Sequence, residues 1–195
     1  MRTAFMAALL GMACALPAIA EAQQEASQSR TEGGVSMPTR IEVGGQVLVL
    51  NGMATRKQVI VKVYVAGLYL PAPATDAEQV LSTDGPRRLV MHFVHDVSAE
   101  KMCGAWDESL KNNTPDASAE LKAQFGKLCA AMEDVDSGEE FVFTYLPEQG
   151  TTITVKGADN AVIEGKAFAD ALFRSWIGPK PGPGEGFKKK LLGGG

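Results

Sequence analysis

Apolar and polar residues alternate through Ile41-Glu42-Val43 and again through Gln46 to Leu50. Gly44-Gly45 lies between the two stretches, and the pattern predicts a β-hairpin. Asn51-Gly52 predicts another turn. From Gln58 to Leu70 the chain carries its longest strand pattern, with Val59, Val61, Val63 and Val65 on one face and Ile60, Lys62, Tyr64 and Ala66 on the other. The first face is apolar and the second mixed, a pattern that apart from Lys62 fits a strand covered on both sides. Pro71 and Pro73 end it.

Beyond the prolines the period changes. Thr75 to Ser82 reads as a short helix with Thr75 as N-cap, and Asp76 and Glu78 in its first turn. Arg88 to Val94 is a strand with Leu89, Met91 and Phe93 on one face. Ser98 then caps a helix reaching about Asn112, whose inner stripe is Met102, Ala105, Trp106, Ser109 and Leu110. Thr114-Pro115 supplies the N-cap and first residue of the next helix, in which Leu121, Phe125, Leu128 and Met132 fall at helical spacing. These two helices form an antiparallel pair. Glu139 to Leu146 and Thr151 to Lys156 make a hairpin, and Asp159-Asn160 turns the chain into a short segment, Ala161 to Glu164. A helix from Lys166 to Ile177 buries Phe168, Ala171, Leu172, Ser175 and Trp176 and stops at Gly178-Pro179. After a Pro/Gly connector, Phe187 to Leu192 forms a last helical turn. Such an order lacks the alternation of a parallel sheet. It predicts an α+β fold, a large antiparallel sheet with helices packed on one face.

The N-terminus has another pattern. Arg2 precedes an apolar run, Ala4 to Leu16, that is too short to span a bilayer, and Ala18-Ile19-Ala20 follows as a small-x-small cleavage signal. Residues 1–20 are therefore expected to be a signal peptide, with Ala20-Glu21-Ala22 as the alternative cleavage site after residue 22. Residues 21–38, rich in Gln, Ser, Glu and Gly, are expected to be a disordered leader. Residues 39–193 form the domain. The destination is periplasmic or extracellular, without stable membrane insertion, and the mature chain is expected to be a monomer. The formal net charge is −4, and removing Arg2, the sole charge in residues 1–20, makes it −5. An acidic balance argues against a nucleic-acid partner.

Most candidate chemistry fails on spacing. His92 and His95 are three apart on a strand and point to opposite faces, so no metal is expected. There is no C-x-x-C motif, no G-x-S-x-G elbow and no phosphate loop in 182–186, and no cofactor is implied. Cys103 and Cys129 survive processing and sit on the two paired helices with an axial offset of roughly 6 Å, compatible with a disulfide or with two free thiols. Lys188-Lys189-Lys190 reads as a solvated helix face. Arg56, beside the long strand, either reaches solvent or enters a cleft between sheet and helices, where its forked donors bind a carboxylate or phenolate.

Three stretches carry a family likeness: Leu50 to Arg56 with Val63 to Leu70, Val97 to Lys101, and Asn160 to Phe168 continued by Trp176-Ile177-Gly178. Through them the chain resembles the chalcone isomerase family, in particular its exported bacterial branch. The resemblance implies an open-faced β-sandwich with a ligand cleft between the long strand and the helices. In the plant enzymes of that family an arginine guides a phenolate that adds to an enone, a threonine and a tyrosine polarise the ketone, and an asparagine and a Ser or Thr touch the rest of the substrate. Relatives without isomerase activity bind fatty acids, with the arginine on the carboxylate.

Carried over by position, the arginine is Arg56 and the Ser/Thr is Ser175. The strand threonine becomes Tyr64, the tyrosine becomes Ser98 and the asparagine becomes Ala105. One oxyanion donor is worth about 2.7–4 kcal/mol, so a chain without the ketone-polarising pair is expected to bind rather than catalyse. The resemblance thus implies non-catalytic binding of a small amphipathic, fatty-acid-like carboxylate, with Arg56 as anchor and Tyr64 and Ser175 as further contacts. The alternatives are an isomerase of intramolecular lyase type, acting on an enone-like aromatic molecule through Arg56 and Tyr64, and an envelope protein-interaction domain with a vestigial cleft.

Overall fold

Residues 28–194 are described by the computed structural model; the expected signal peptide lies outside them. The first elements form a separate two-stranded hairpin, β1 (Ser29–Glu32) and β2 (Val35–Pro38). A seven-stranded antiparallel sheet follows, each strand pairing with the next in sequence. Its members are β3 (Arg40–Val43), β4 (Gln46–Gln58), β5 (Val61–Leu70), β6 (Arg87–Phe93), β7 (Glu140–Leu146), β8 (Gly150–Val155) and β9 (Ala158–Ile163). Helix α1 (Ala77–Ser82) joins β5 to β6. The pair α2 (Ala99–Asn113) and α3 (Ala119–Ala130) joins β6 to β7, while α4 (Lys166–Ile177) and α5 (Glu185–Leu191) close the chain. The expected α+β architecture is the observed one.

The larger core lies between sheet and helices, where Phe93, Phe141 and Phe143 from the strands meet Phe125, Phe168, Leu172 and Trp176 from the helices. A smaller core covers part of the opposite face. Here Val35 and Met37 of β2 pack on Leu48, Met53, Val65 and Tyr69, and the Tyr69 hydroxyl donates to the Pro38 carbonyl at 2.9 Å. Residues 29–38 are thus ordered, contrary to the expected leader. Two alternating apolar residues suffice to cover a bare patch of sheet, and Gly33 and Gly34, at φ 63° and 99°, allow the tight turn between the strands.

Other departures have similarly local causes. Asn51-Gly52 is not a turn; β4 runs through it with a bulge at Asn51. The Asn51 amide donates to the carbonyls of Ala74 at 2.9 Å and Leu191 at 2.8 Å, and accepts from the Ala74 N–H at 2.8 Å. Gly52 is needed for close approach: a Cβ there would lie 2.2 Å from the Lys190 carbonyl oxygen on α5. The single long strand expected from Gln58 is instead divided, since Val59 and Ile60 form a two-residue turn between β4 and β5. Asp76, rather than Thr75, caps α1, accepting from the Gln79 N–H at 2.8 Å. Thr114, preceding a proline, is driven out of helical geometry to φ −145° and ends α2. Ser118 therefore caps α3. The last sheet turn falls at Lys156-Gly157, with φ 51° and 81°, and β9 runs from Ala158 to Ile163 across the expected turn.

Candidate functional site

A bulge near the end of the β4–β5 hairpin builds the site. Arg56 pairs with Tyr64 and Lys57 with Lys62, leaving Val63 as an extra residue on β5. Directly opposed residues share a face, which puts Arg56 and Tyr64 side by side. The extra residue also breaks the alternation, so Val61, Val63 and Tyr64 all line one cleft. Val63 and Tyr64 would otherwise point to opposite faces.

The cleft has a volume of about 1040 Å³, at the upper end of the roughly 300–1,000 Å³ range of small-molecule sites. Its floor is β5 with Met91 of β6, and its walls are Met102, Trp106 and Ser109 of α2 and Ser175 and Trp176 of α4. His95, Asp96, Lys101 and Glu108 contribute to its polar rim. Apolar walls around a few polar groups are what an amphipathic guest requires.

Arg56 is half-buried on this lining. Among the described residues its guanidinium makes no hydrogen bond and no ion pair. Five planar donors are thereby left for an anion.

Tyr64 is buried, in edge or tilted contact with Phe93 and Phe187 at ring separations of 5.8 and 6.0 Å. Its hydroxyl oxygen accepts from the Trp176 indole N–H at 3.2 Å. Burial pushes the phenol up to about 12, with the Trp176 hydrogen bond and the Arg56 charge opposing that rise. Tyr64 therefore stays protonated at neutral pH, and its O–H has no acceptor among the described residues. It can donate to a guest but cannot act as a phenolate.

Ser175 reaches the same cleft, but its oxygen already accepts from the Ser109 hydroxyl at 2.8 Å. Asn113 extends the link: its amide donates to the Ser109 carbonyl at 3.1 Å and the Lys180 carbonyl at 2.9 Å. Much of what Ser175 does is to hold α4 against α2. Ser98 is likewise structural, capping α2 through the Lys101 N–H at 3.4 Å. Ala105 faces the cleft.

The residue that sequence reasoning missed is Trp106. Its helical spacing predicts a core residue, yet its buried indole N–H has no partner among the described residues and its side chain lines the cleft. Its packing against Trp176, with ring centroids 5.3 Å apart, fixes the wall. An aromatic at a core-facing helical position gives no sequence sign of an unused donor.

Cys103 and Cys129 stand on α2 and α3 as free thiols. Burial, followed by the hydrogen bond with Cys103, raises the Cys129 thiol to about 12 and suppresses the thiolate needed for oxidation. His92 is turned to Glu140, at 2.9 Å, outside the cleft.

Fold and site together define an α+β sheet-and-helix protein whose cleft carries a cation unpaired among the described residues. A family model described as chalcone isomerase-like matches residues 29–193, and the chain belongs to the chalcone isomerase-like family. The match begins at β1, in agreement with the ordered N-terminal hairpin. No curated protein sequence matches. Among solved structures, the crystal structure of a fatty-acid binding protein from Arabidopsis thaliana superposes with a TM-score of 0.69 at 14% identity, covering 85% of this chain and 96% of that one. At that identity the likeness is one of fold.

Proposed function

We propose that this protein is a non-catalytic carrier of a small amphipathic carboxylate, fatty-acid-like in form, with the head group on Arg56 and the tail along the valine, methionine and tryptophan walls. One observation carries the reading: a half-buried arginine without a partner among the described residues, on the lining of a large and mainly apolar cleft. A partly desolvated cation without a partner is costly, and an anion that reaches it gains a charge-assisted, bidentate bond. The Tyr64 O–H is a second donor to the same carboxylate. The fatty-acid binding protein that shares the fold supports this ligand class. Export to the periplasm or beyond belongs to the same proposal, and N-terminal sequencing of the mature chain tests it.

Both tryptophans of the chain, Trp106 and Trp176, line the cleft, so intrinsic fluorescence reports occupancy. Titration with a long-chain saturated fatty acid is expected to saturate at one site per chain. Arg56→Ala is expected to weaken binding about tenfold to hundredfold, the worth of a hydrogen bond to a charged group. A wild type that binds no acid would overturn the reading.

A second reading, an intramolecular lyase acting on an enone-like molecule, is favoured by the available Tyr64 phenol beside Arg56. Chalcone cyclisation above background, lost together in Arg56→Ala and Tyr64→Phe, would establish it instead.

A further inference from the structure

The turn between β4 and β5 is the most exposed apolar point among the described residues: Val59 is 92% and Ile60 88% exposed, with Val61 beside them at 44%. It is also the least economical choice for the fold. Val59 has φ 58°, a left-handed conformation that glycine adopts freely and a β-branched residue does not. Two-residue hairpin turns ordinarily carry Gly, Asn or Asp there. Neither Val59 nor Ile60 contributes to either core.

Its position explains the choice. Arg56, Gln58, Val59 and Val61 lie along the cleft lining, so the apolar tip stands at the mouth beside the anion anchor. Lys57 and Lys62 are directly opposed across the hairpin and do not belong to the cleft lining. Like charges placed so repel each other in the free protein. Among the described residues Lys62 donates only to the Gly33 carbonyl, at 3.3 Å, and Lys190 nearby is compensated by Glu32. Across the cleft Asp96 and Glu108 are balanced by Lys101 and Lys180, so the uncompensated positive character belongs to the hairpin itself.

We propose that the β4–β5 hairpin docks the protein on an anionic lipid bilayer: Val59 and Ile60 enter the interfacial apolar layer, Lys57 and Lys62 meet the head groups, and the cleft mouth faces the membrane. The purpose of this docking, loading and unloading an amphipathic acid without passage through water, rests on the carrier reading above. Charge complementarity selects the partner. A neutral protein surface would leave the opposed lysines uncompensated, whereas anionic head groups pair with each of them.

The test uses the full mature chain with vesicles of phosphatidylglycerol mixed with phosphatidylcholine, and with vesicles of phosphatidylcholine alone. Co-sedimentation is expected with the anionic vesicles, and it should weaken as salt is raised. Val59→Gly with Ile60→Asn installs residues suited to the turn, so the variant should fold at least as stably as the parent. It is expected to lose about tenfold or more in vesicle partition, the effect of keeping two aliphatic side chains out of an apolar layer. Lys57→Gln and Lys62→Gln should each weaken binding about fivefold. The two lysine variants, whose positions lie outside the cleft lining, should retain the affinity for dissolved fatty acid while slowing its transfer from vesicles, whereas Arg56→Ala should dock normally and bind the acid about tenfold to hundredfold more weakly. Absence of wild-type binding to anionic vesicles, equal binding by the tip variant, or a tip-dependent dimer in its place would overturn the proposal. Docking without acid binding would sustain it and remove the carrier reading.

Discussion

Arg56 and Tyr64 are adjacent on one sheet face but have opposite consequences for the fold. Among the described residues the Arg56 guanidinium has no partner, so Arg56→Ala forfeits no protein contact and is expected to be at least as stable as wild type in denaturant titration. Tyr64 is tied to Trp176, and Tyr64→Phe leaves that buried N–H without an acceptor. The substitution is expected to lower unfolding free energy by about 1–3 kcal/mol in denaturant titration and to weaken fatty-acid affinity as well. Equal stability of Tyr64→Phe and wild type would contradict the bond. Trp106 belongs at this scale too, because its unused N–H is a third donor along the same wall.

At the scale of elements, buried polar groups decide how helices meet the sheet. Ser109, Ser175 and Asn113 join α2 to α4, and Asn51 joins α5 to β4 and to the segment before α1. Arg87 on β6 is 1% exposed, lies 4.9 Å from the ring centres of both Tyr145 and Phe173, and pairs with Asp170 of α4. Its guanidinium also donates to the Val80 carbonyl of α1 at 3.0 Å. Lys166 reaches Asp170 from the preceding turn at 2.5 Å. Removing one member of a buried pair strands the other charge, so Asp170→Ala is expected to cost about 3–5 kcal/mol. Thermal unfolding would show it, and a wild-type melting temperature would refute it. The sequence placed α4 between Lys166 and Ile177, the bounds observed. Nothing in its period distinguished Asp170, a polar residue on an amphipathic helix, from a solvated one. Arg87 stood just outside the expected strand for the same reason: a charge predicts exposure unless its partner is known.

For the molecule as a whole, alkaline pH offers a probe of both cores. Burial raises all three tyrosines, Tyr64, Tyr69 and Tyr145, from 10.0 to about 12. Each phenol holds its proton more firmly folded than unfolded. The stability this represents is fully present below pH 10 and is lost as pH climbs towards 12. Tyrosinate absorbance is therefore expected to appear late and together with the loss of near-UV circular dichroism. Ionisation near pH 10 in a protein still folded would contradict the burial.

The amino-acid order by itself determined the α+β class, most strands, the helices from Ser98 and Lys166, and a chain region apolar on two faces. All of these follow from short-range periodicity and from caps within a few residues. It also brought Arg56, Tyr64 and Ser175 forward as candidates, by family likeness. Only the tertiary structure placed the turn at Val59-Ile60 and the bulge at Val63, because register is chosen by pairing with a neighbouring strand. It alone united Tyr64 with Trp176, 112 residues apart, and Ser109 with Ser175, 66 apart. It alone left Arg56 without a partner among the described residues. Whether a charge is satisfied depends on everything packed around it, and no local pattern records that.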